Sequence, residues 1–346
     1  MAQKLSTGAR NLITDVGGLS VGHAHDAHHC TGVSVIVPDT PSVVSVSVPG
    51  GGPGTRETDA LQPGTLVDKA DALVLSGGSV YGLDAASGVT AQMGAEGRGF
   101  PTGAPLPSPI VPAAILFDMA NGGAKDWGDT PPYAALGRAA YQARSTEFTL
   151  GNQGAGYGAM AGLLKGGLGS ASIAVNDSVE AGALIAANPL GSVVDGQGRF
   201  WAQPYAHAHE GGLEFGHPAW AQLPADGTAH PMAGSKLAAA LGNTSIGVVA
   251  VAADLSVAEA KRVAIMAQDG LARAIRPIHT PFDGDCLFVL ALGHKKLAAT
   301  EDMRPLALAT LGALVADCVA RATARAVWAA EGLGKMQAYR DLYGAD

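Results

Sequence analysis

Leu241-Gly-Asn-Thr-Ser-Ile-Gly-Val-Val-Ala-Val-Ala-Ala253 is the stretch on which the fold and the chemistry of this chain depend. A small turn leads into Thr244, and the apolar run behind it predicts a buried strand over 246–252. This order suits a chain that cuts itself between Asn243 and Thr244. The freed α-amine, with a reference pKa of about 7.7–8.0, could then serve as base for the hydroxyl of the same residue. An ordinary loop-to-strand turn fits the same residues, because Asn and Ser hydrogen-bond to nearby backbone.

The composition indicates a large core and argues against several classes of partner. Of 346 residues, 47% are hydrophobic and only 15% are charged, against a usual charged share of about 25%. We therefore expect one domain, residues 1–346. The net charge is −8 and no basic stripe is present, which argues against nucleic acid or an anionic membrane as partner.

Cysteine content and hydropathy predict a cytoplasmic protein. Three irregularly spaced cysteines do not suggest a disulfide framework and fit a reducing compartment. The N-terminal segment lacks the apolar stretch of a signal peptide, and no run of 18 apolar residues predicts a membrane span.

The pattern along the chain predicts a layered α/β protein. Residues 192–242 read as a long, partly exposed connection, and Ser256-Val-Ala-Glu259 is a capping box that starts a helix ending before Pro277. Strands are expected over 33–37 and 43–48 (as neighbours joined by 38–42), 72–76, 111–117, 170–175, 181–187, 246–252 and 286–292, and further helices over 81–93, 131–143 and 305–330.

Two carboxylates are candidates for positioning Thr244. In His279-Thr-Pro-Phe-Asp-Gly-Asp285, Asp283 and Asp285 flank a glycine, so a turn could aim both at one point. Beside an N-terminal threonine they would hold its ammonium or hydroxyl and tune proton transfer. A plain Asp-Gly turn remains an alternative, and the spacing does not match an EF-hand calcium loop.

Three further side chains are weaker candidates for a role in the site. Lys165 stands among apolar residues, where it either reaches outward or places a cation near an anion or hydroxyl. Asn188, at a predicted strand end, either donates to an oxyanion or ends the strand in an Asn-Pro turn. Tyr81 either lines a pocket or belongs to the core.

Cofactor and metal sites are disfavoured by the spacing of their candidate residues. The glycine-rich stretch 151–158 lacks the G-x-G-x-x-G and Gly-Lys-Ser/Thr patterns, so nucleotide binding is not expected. His23, His25, His28, His29 and Cys30 match neither a zinc-finger nor an H-E-x-x-H pattern. No G-x-S-x-G elbow is present. We expect no cofactor and no metal.

Seven motifs in order resemble the L-aminopeptidase/D-esterase family of self-processing N-terminal-nucleophile hydrolases, which includes β-aminopeptidases and nylon-oligomer hydrolases. The motifs are Ile13-Thr-Asp-Val-Gly-Gly-Leu-Ser-Val-Gly-His23, Gly51-Gly-Pro-Gly-Thr-Arg-Glu-Thr-Asp59, Ser76-Gly-Gly-Ser-Val-Tyr-Gly-Leu-Asp-Ala85, Pro109-Ile-Val-Pro-Ala-Ala-Ile-Leu-Phe-Asp118, Gly154-Ala-Gly156 with Lys165-Gly-Gly167, Gly242-Asn-Thr244, and His279–Asp285. The resemblance implies a four-layer α/β/β/α sandwich, N-terminal-nucleophile-hydrolase-like. It also implies cleavage at Asn243–Thr244 into a large chain, 1–243, and a small chain, 244–346, that stay together, with a tetramer of such units as the expected assembly.

The resemblance also assigns expected roles to the candidate residues. Thr244 would be the nucleophile in self-cleavage and in hydrolysis, Asp283 and Asp285 would orient it, and Lys165 would lie against it. Asn188 would supply an oxyanion donor, and Tyr81 would line the pocket. The best-known β-aminopeptidases use Ser where this chain has Thr244, which leaves the substrate preference open.

The favoured function is therefore a self-processing amide hydrolase or aminopeptidase that acts on small peptides, amino-acid amides or esters, or ω-amino-acid oligomers. A 6-aminohexanoate (nylon) oligomer endo-hydrolase is the more specific alternative. The rival classes are an unprocessed, non-catalytic scaffold of the same shape and a metal-dependent hydrolase built on the N-terminal histidines.

Overall fold

Two β-sheets lie face to face in the computed structural model, which describes residues 4–209, 212–217, 230–236 and 243–344. The strands of these ranges are β1 (Leu5–Ser6), β2 (Leu19–Asp26), β3 (Thr31–Pro38), β4 (Ser42–Ser47), β5 (Thr55–Arg56), β6 (Lys69–Ala70), β7 (Leu73–Ser76), β8 (Ala113–Ile115), β9 (Met160–Ala161), β10 (Leu164–Lys165), β11 (Gly167–Val175), β12 (Ser178–Asn188), β13 (Ala208–His209), β14 (Gly212–Leu213), β15 (Thr244–Ala253) and β16 (Cys286–Lys295). The helices are α1 (Asp84–Ala95), α2 (Tyr133–Gln142), α3 (Val257–Ala274), α4 (Arg304–Trp328) and α5 (Tyr339–Tyr343).

The larger sheet has the strand order β1-β11-β12-β15-β16-β4-β6, and the smaller sheet has the order β2-β3-β7-β8-β5. Most neighbours are antiparallel, but β15 pairs with β16 and β7 with β8 in parallel. Every residue of β15 is buried. Strands covered on both faces carry near-continuous apolar sequence, which is the pattern seen in 246–252.

Three apolar layers separate the two sheets and their helices. The inner layer joins the facing sheets through residues such as Leu73, Ile246 and Phe288. One outer layer packs α3 and α4 on the larger sheet, and the other packs α1 and α2 on the smaller sheet. The architecture is therefore the four-layer α/β/β/α sandwich that the family resemblance implies.

Helix α3 shows how local sequence sets one of these elements. The Ser256 hydroxyl accepts a hydrogen bond from the backbone N–H of Glu259 at 3.3 Å, and the Glu259 carboxylate accepts one from the Ser256 N–H at 2.8 Å. This confirms the capping box. The helix ends at Ala274, ahead of Pro277.

The prediction that residues 33–37 and 43–48 are neighbouring strands is wrong. The two strands form as β3 and β4, but they lie in different sheets, where β3 pairs with β2 and β7 while β4 pairs with β16 and β6. The three residues between them, 39–41, carry the chain from one sheet to the facing one. Each strand directs apolar side chains toward the core between the sheets. The local sequence pattern therefore fits both pairing within one sheet and placement in facing sheets, and it could not distinguish between them.

The connection over 192–242 is less exposed than expected where the structure describes it. Phe200 and Phe215 are buried and stack edge to face with ring centroids 5.5 Å apart, and Phe200 also packs against Tyr339 of α5. Residues 210–211, 218–229 and 237–242 of this connection lie outside the described residues.

Glu301–Trp328, which contains α4, is long and apolar enough to cross a membrane by length and composition alone. Its most apolar window is 56% buried within the fold. The helix packs on α3, β11 and β12, so its apolar composition serves the outer core of the larger sheet.

Candidate active site

The Asn243–Thr244 bond lies where three chain segments meet at one end of the larger sheet. Thr244 begins β15 and pairs with Asn188, the last residue of β12. Asn243 forms a parallel bridge with Asp283 from the segment before β16. Asn243 and Thr244 are only 1% and 3% exposed. The bond is therefore held by backbone pairing on both sides and is shielded from bulk water.

The backbone N–H of Gly284 faces this bond. It lies 2.9 Å from the carbonyl oxygen of Asn243 and 3.1 Å from Thr244 Oγ1. The Thr244 hydroxyl also donates to the Asn243 carbonyl oxygen. A fixed N–H donor on a carbonyl oxygen is the arrangement that stabilises an oxyanion when that carbonyl is attacked.

Gly284 has no room for a side chain. A Cβ built on it would lie 2.7 Å from Thr244 Oγ1 and 2.7 Å from the carbonyl oxygen of Gly52. Real Cβ atoms essentially never approach heavy atoms so closely. A glycine at this position therefore lets the backbone N–H reach the Thr244 hydroxyl.

Asp283 acts on the backbone around Thr244. Its carboxylate accepts hydrogen bonds from the N–H of Leu190 at 3.0 Å and from the N–H and hydroxyl of Thr280 at 3.0 and 2.6 Å. These bonds tie the end of β12 to the turn that carries Gly284.

Asp285 holds the start of β15. Its carboxylate accepts from the Ser245 N–H at 2.7 Å, the His279 N–H at 3.1 Å and the His279 ring at 2.8 Å. Burial raises the pKa of the Asp285 carboxyl, and the hydrogen bonds from His279 act in the opposite direction.

The aspartates therefore occupy the expected place but make different contacts from those expected. Within the described ranges, no hydrogen bond joins either carboxylate to the Thr244 hydroxyl. In the uncleaved chain they position Thr244 through neighbouring backbone rather than by direct contact.

Lys165 is fully buried beside the site. It pairs across β10 and β9 with Met160, whose N–H donates to the Asn188 side chain at 2.9 Å. Its ammonium donates to the carbonyls of Gly156 at 3.1 Å and Gly166 at 2.6 Å. Burial lowers its pKa to about 7, and Cys30 and Asp118 raise it in part. Lys165 can therefore exchange a proton near neutral pH, although no hydrogen bond to Thr244 is seen in the part of the chain described.

Asn188 sits across the strand pair from Thr244, and its amide orientation is fixed. Its Nδ2 donates to the carbonyl of Phe117 at 2.9 Å. Its Oδ1 accepts from the Met160 N–H at 2.9 Å, Asn121 Nδ2 at 3.2 Å and Lys236 Nζ at 3.3 Å. With Oδ1 occupied by donors, the amide N–H₂ group is the side left to act on an oxyanion.

Tyr81 is not brought to this site. It lies in the 3₁₀ turn before α1, is 47% exposed, and packs edge to face against Trp127 with ring centroids 5.6 Å apart. The cavity next to Asn243 does not include Tyr81 among its lining residues. The expected pocket role of Tyr81 therefore has no support in the uncleaved chain, because the turn before α1 directs it elsewhere.

The sequence analysis missed Asn121 and Lys236, which both bond to Asn188. They line a cavity of about 550 Å³ together with Cys30, Phe117, Met160 and Asn243. Lys236 could have been noticed as a lone cation eight residues before Thr244, in an otherwise apolar stretch. Asn121 lies in a loop with no motif, so only the folded chain reveals it.

The N-terminal histidines each have a local partner. His23 Nδ1 bonds to Ser34 Oγ at 2.9 Å, His29 Nδ1 to Asp26 at 2.7 Å, and His25 stacks on Tyr157 with centroids 4.3 Å apart. No group of three or more His, Cys, Asp or Glu suited to a metal ion occurs among the residues described.

The four-layer fold is that of the N-terminal-nucleophile hydrolases, and comparisons with known proteins agree. A structure of the L-aminopeptidase D-Ala-esterase/amidase of Ochrobactrum anthropi, a variant of that fold, matches 98% of this chain and 96% of its own, with a TM-score of 0.66 at 20% identity. The model of peptidase family S58 matches residues 11–340. The chain belongs to peptidase family S58, the L-aminopeptidase/D-esterase group of peptide-bond hydrolases.

Two curated relatives cover most of the chain. An uncharacterised aminopeptidase of Mycobacterium tuberculosis is 40% identical over 355 residues, covering 96% of this chain and 98% of the relative. A 6-aminohexanoate-oligomer endohydrolase of Kocuria sp. is 30% identical over 307 residues, covering 85% and 79%.

Proposed function

We propose that this protein is a self-processing amide hydrolase whose nucleophile, Thr244, is released by cleavage of its own bond to Asn243. The observation that carries the proposal is the double contact of the Gly284 N–H with the Asn243 carbonyl oxygen and with Thr244 Oγ1. One donor thus faces both the group that would attack and the oxygen that would gain charge.

Self-cleavage would proceed as an N→O acyl shift. Thr244 Oγ1 attacks the carbonyl carbon of Asn243, the C–O bond forms, and the C–N bond breaks. The hydroxyl proton passes to the departing nitrogen, which becomes the α-amine of Thr244. Water then hydrolyses the ester and leaves a carboxylate on Asn243. Lys165, whose pKa burial lowers to about 7, would relay the proton.

The mature enzyme would repeat this chemistry on a substrate amide. Thr244 Oγ1 attacks the substrate carbonyl, with the α-amine of Thr244 accepting the hydroxyl proton and returning it to the leaving amine. The Gly284 N–H and the Asn188 amide would stabilise the oxyanion. Water then releases the acid from the acyl-enzyme, and the amine acts again as base.

The two chains would remain associated after cleavage. β12 of the large chain pairs with β15 of the small chain over eight residues. Glu214 of the large chain forms a buried ion pair with Arg321 of the small chain, with oxygen–nitrogen distances of 2.5 and 2.9 Å.

The substrates would be small amides. Relatives named aminopeptidase and 6-aminohexanoate-oligomer endohydrolase favour N-terminal residues of short peptides, amino-acid amides or esters, and ω-amino-acid oligomers. A cavity of about 550 Å³ beside Asn243 suits an acyl group of that size.

Substitution of Thr244 tests the proposal. Thr244→Ala should abolish turnover of amino-acid nitroanilides, whereas Thr244→Ser should retain activity because it keeps a hydroxyl on the same carbon. The exposed Thr310 provides a control, and Thr310→Ala should behave as wild type. Amide hydrolysis that persists in processed or unprocessed Thr244→Ala protein would refute the assignment of the nucleophile.

A further inference from the structure

A second buried lysine, Lys236, contacts the residue that pairs with the proposed nucleophile. Its ammonium donates to the backbone oxygen of Asn188 at 3.2 Å and to Asn188 Oδ1 at 3.3 Å. Asn188 in turn pairs with Thr244 at the start of β15. The mechanism proposed above uses the Asn188 amide as an oxyanion donor and gives Lys236 no part. The contacts nevertheless link Lys236 to the reacting threonine through a single residue.

The backbone of Lys236 is anchored to the segment that follows Asn188. Its N–H donates to the carbonyl of Leu190 at 3.0 Å, and the Leu190 N–H donates to the Asp283 carboxylate at 3.0 Å. Lys236 is 5% exposed. Ordering a long side chain and burying its charge both cost free energy. The fold therefore maintains this contact with Asn188, in contrast to the mobile ammonium of a surface lysine.

The donors around Asn188 Oδ1 determine how strongly its amide group can donate. Besides Lys236, the Met160 N–H and Asn121 Nδ2 donate to this oxygen, at 2.9 and 3.2 Å. Of the three donors, the ammonium alone carries a charge, and it can never accept a hydrogen bond. A cation on the amide oxygen draws electron density away from the nitrogen, because linked hydrogen bonds polarise one another. The N–H₂ group is therefore a stronger donor while Lys236 is protonated.

The charge of Lys236 changes within the neutral pH range. Burial lowers its pKa to about 7, and Asp283 in the turn before β16 raises it in part. Of the other described residues that line its cavity, Cys30 and Lys335 can titrate. Burial raises the pKa of the Cys30 thiol, and Lys335 is exposed. Lys236 is therefore mainly charged at pH 6 and mainly neutral at pH 9.

We propose that Lys236 is a positioning residue that holds and polarises the Asn188 amide as an oxyanion donor during amide hydrolysis. The inference rests on the proposed function, because it needs a substrate oxyanion beside Asn188. A polarised donor stabilises the negative charge of the transition state more than it stabilises the neutral substrate carbonyl. The effect of Lys236 therefore falls on kcat and leaves KM nearly unchanged.

A double-mutant cycle tests whether Lys236 acts through Asn188. The values of kcat and KM for L-alanine p-nitroanilide would be measured at pH 6 for wild type, Lys236→Met, Asn188→Ala and the double variant. Each kcat would be referred to the processed fraction, which intact mass gives. Lys236→Met should lower kcat about tenfold and change KM less than twofold, and Asn188→Ala should lower kcat about 100-fold.

The double variant distinguishes an effect through Asn188 from an independent one. Its kcat should match that of Asn188→Ala within about threefold, because Lys236 has no amide left to polarise. Lys296→Met replaces an exposed lysine away from this cavity and should behave as wild type.

The pH dependence gives a readout that a merely structural role of Lys236 would not change. The ratio of wild-type kcat to that of Lys236→Met should be about tenfold at pH 6 and less than threefold at pH 9, since wild type loses the charge over this range. In the Asn188→Ala background the same ratio should stay near one at both pH values. The ratio of wild type to Asn188→Ala, which needs no change at Lys236, should also fall severalfold.

The possible results separate the inference from the proposed function. Additive losses, with the double variant about tenfold below Asn188→Ala, would overturn the inference and leave the amide hydrolase in place. Ratios that are identical at pH 6 and pH 9 would overturn it as well. A processed wild type that hydrolyses no amino-acid nitroanilide would instead contradict the proposed function, and the inference with it.

Discussion

Replacing Lys165 by Met should change how the stability of the fold depends on pH. Burial lowers the pKa of Lys165 from its usual 10.5 to about 7. Between these values the unfolded chain binds a proton that the folded chain does not, so Lys165 makes stability rise with pH. At about 1.36 kcal/mol per pKa unit, the rise between pH 7 and pH 9 is about 2 kcal/mol. Met fills a similar volume and does not titrate.

The difference between the two proteins isolates this effect. Urea unfolding would be measured at pH 7 and pH 9 for wild type and Lys165→Met, both in a Thr244→Ala background so that each remains one chain. The stability of the Met variant relative to its parent should be about 2 kcal/mol more favourable at pH 7 than at pH 9. Loss of the hydrogen bonds to Gly156 and Gly166 shifts both values equally. An identical difference at both pH values would show that Lys165 keeps its ordinary pKa and would refute the reasoning.

Three further predictions test the site and the framework. Gly284→Ala should slow self-cleavage at least 100-fold, because its Cβ would clash with Thr244 Oγ1. The control Gly196→Ala, where nothing lies within 4 Å of the new Cβ, should process normally. Normal processing of Gly284→Ala on denaturing gels would contradict the geometry. The rate of self-cleavage should rise between pH 6 and pH 8 as Lys165 loses its proton. The rate would be measured by mass spectrometry of samples quenched at set times, and a rate that falls over this pH range would show that Lys165 is not the base. Arg321→Met should lower the free energy of unfolding by about 3 kcal/mol, the lower end for breaking a buried ion pair, because Glu214 loses its nearest cation and keeps only Arg325 at 3.9 Å. The exposed control Arg262→Met should change it by less than about 0.5 kcal/mol, and equal midpoints in urea would argue against the ion pair.

Local sequence patterns predicted the helices and strands, but not always which strands pair with each other. The capping box at Ser256 and the valine-rich run after Thr244 gave α3 and β15 nearly to the residue, because capping and burial are encoded within a few positions. The placement of β3 and β4 in opposite sheets depends on pairing with strands far along the chain. A local pattern carries no information about such partners.

The contacts of the candidate site residues could not be predicted from the sequence. The resemblance names Lys165, Asn188, Asp283 and Asp285 as site residues; in the structure Asn188 pairs with Thr244, and the two aspartates accept hydrogen bonds from the Leu190 and Ser245 backbone N–H groups. That both carboxylates bind backbone N–H groups follows from the turn geometry before β16, which the residue types do not specify. The shell around Asn188 joins segments 67 and 48 residues away, so it emerges only on folding.

The intact mass of the purified chain under denaturing conditions, with N-terminal sequencing of the smaller fragment, tests the central claim most directly. We predict two masses that sum to the full chain plus one water, a small fragment that begins Thr-Ser-Ile-Gly, and a single uncleaved mass for Thr244→Ala. A wild-type chain that stays whole after prolonged incubation, or a Thr244→Ala chain that splits at the same bond, would contradict the account.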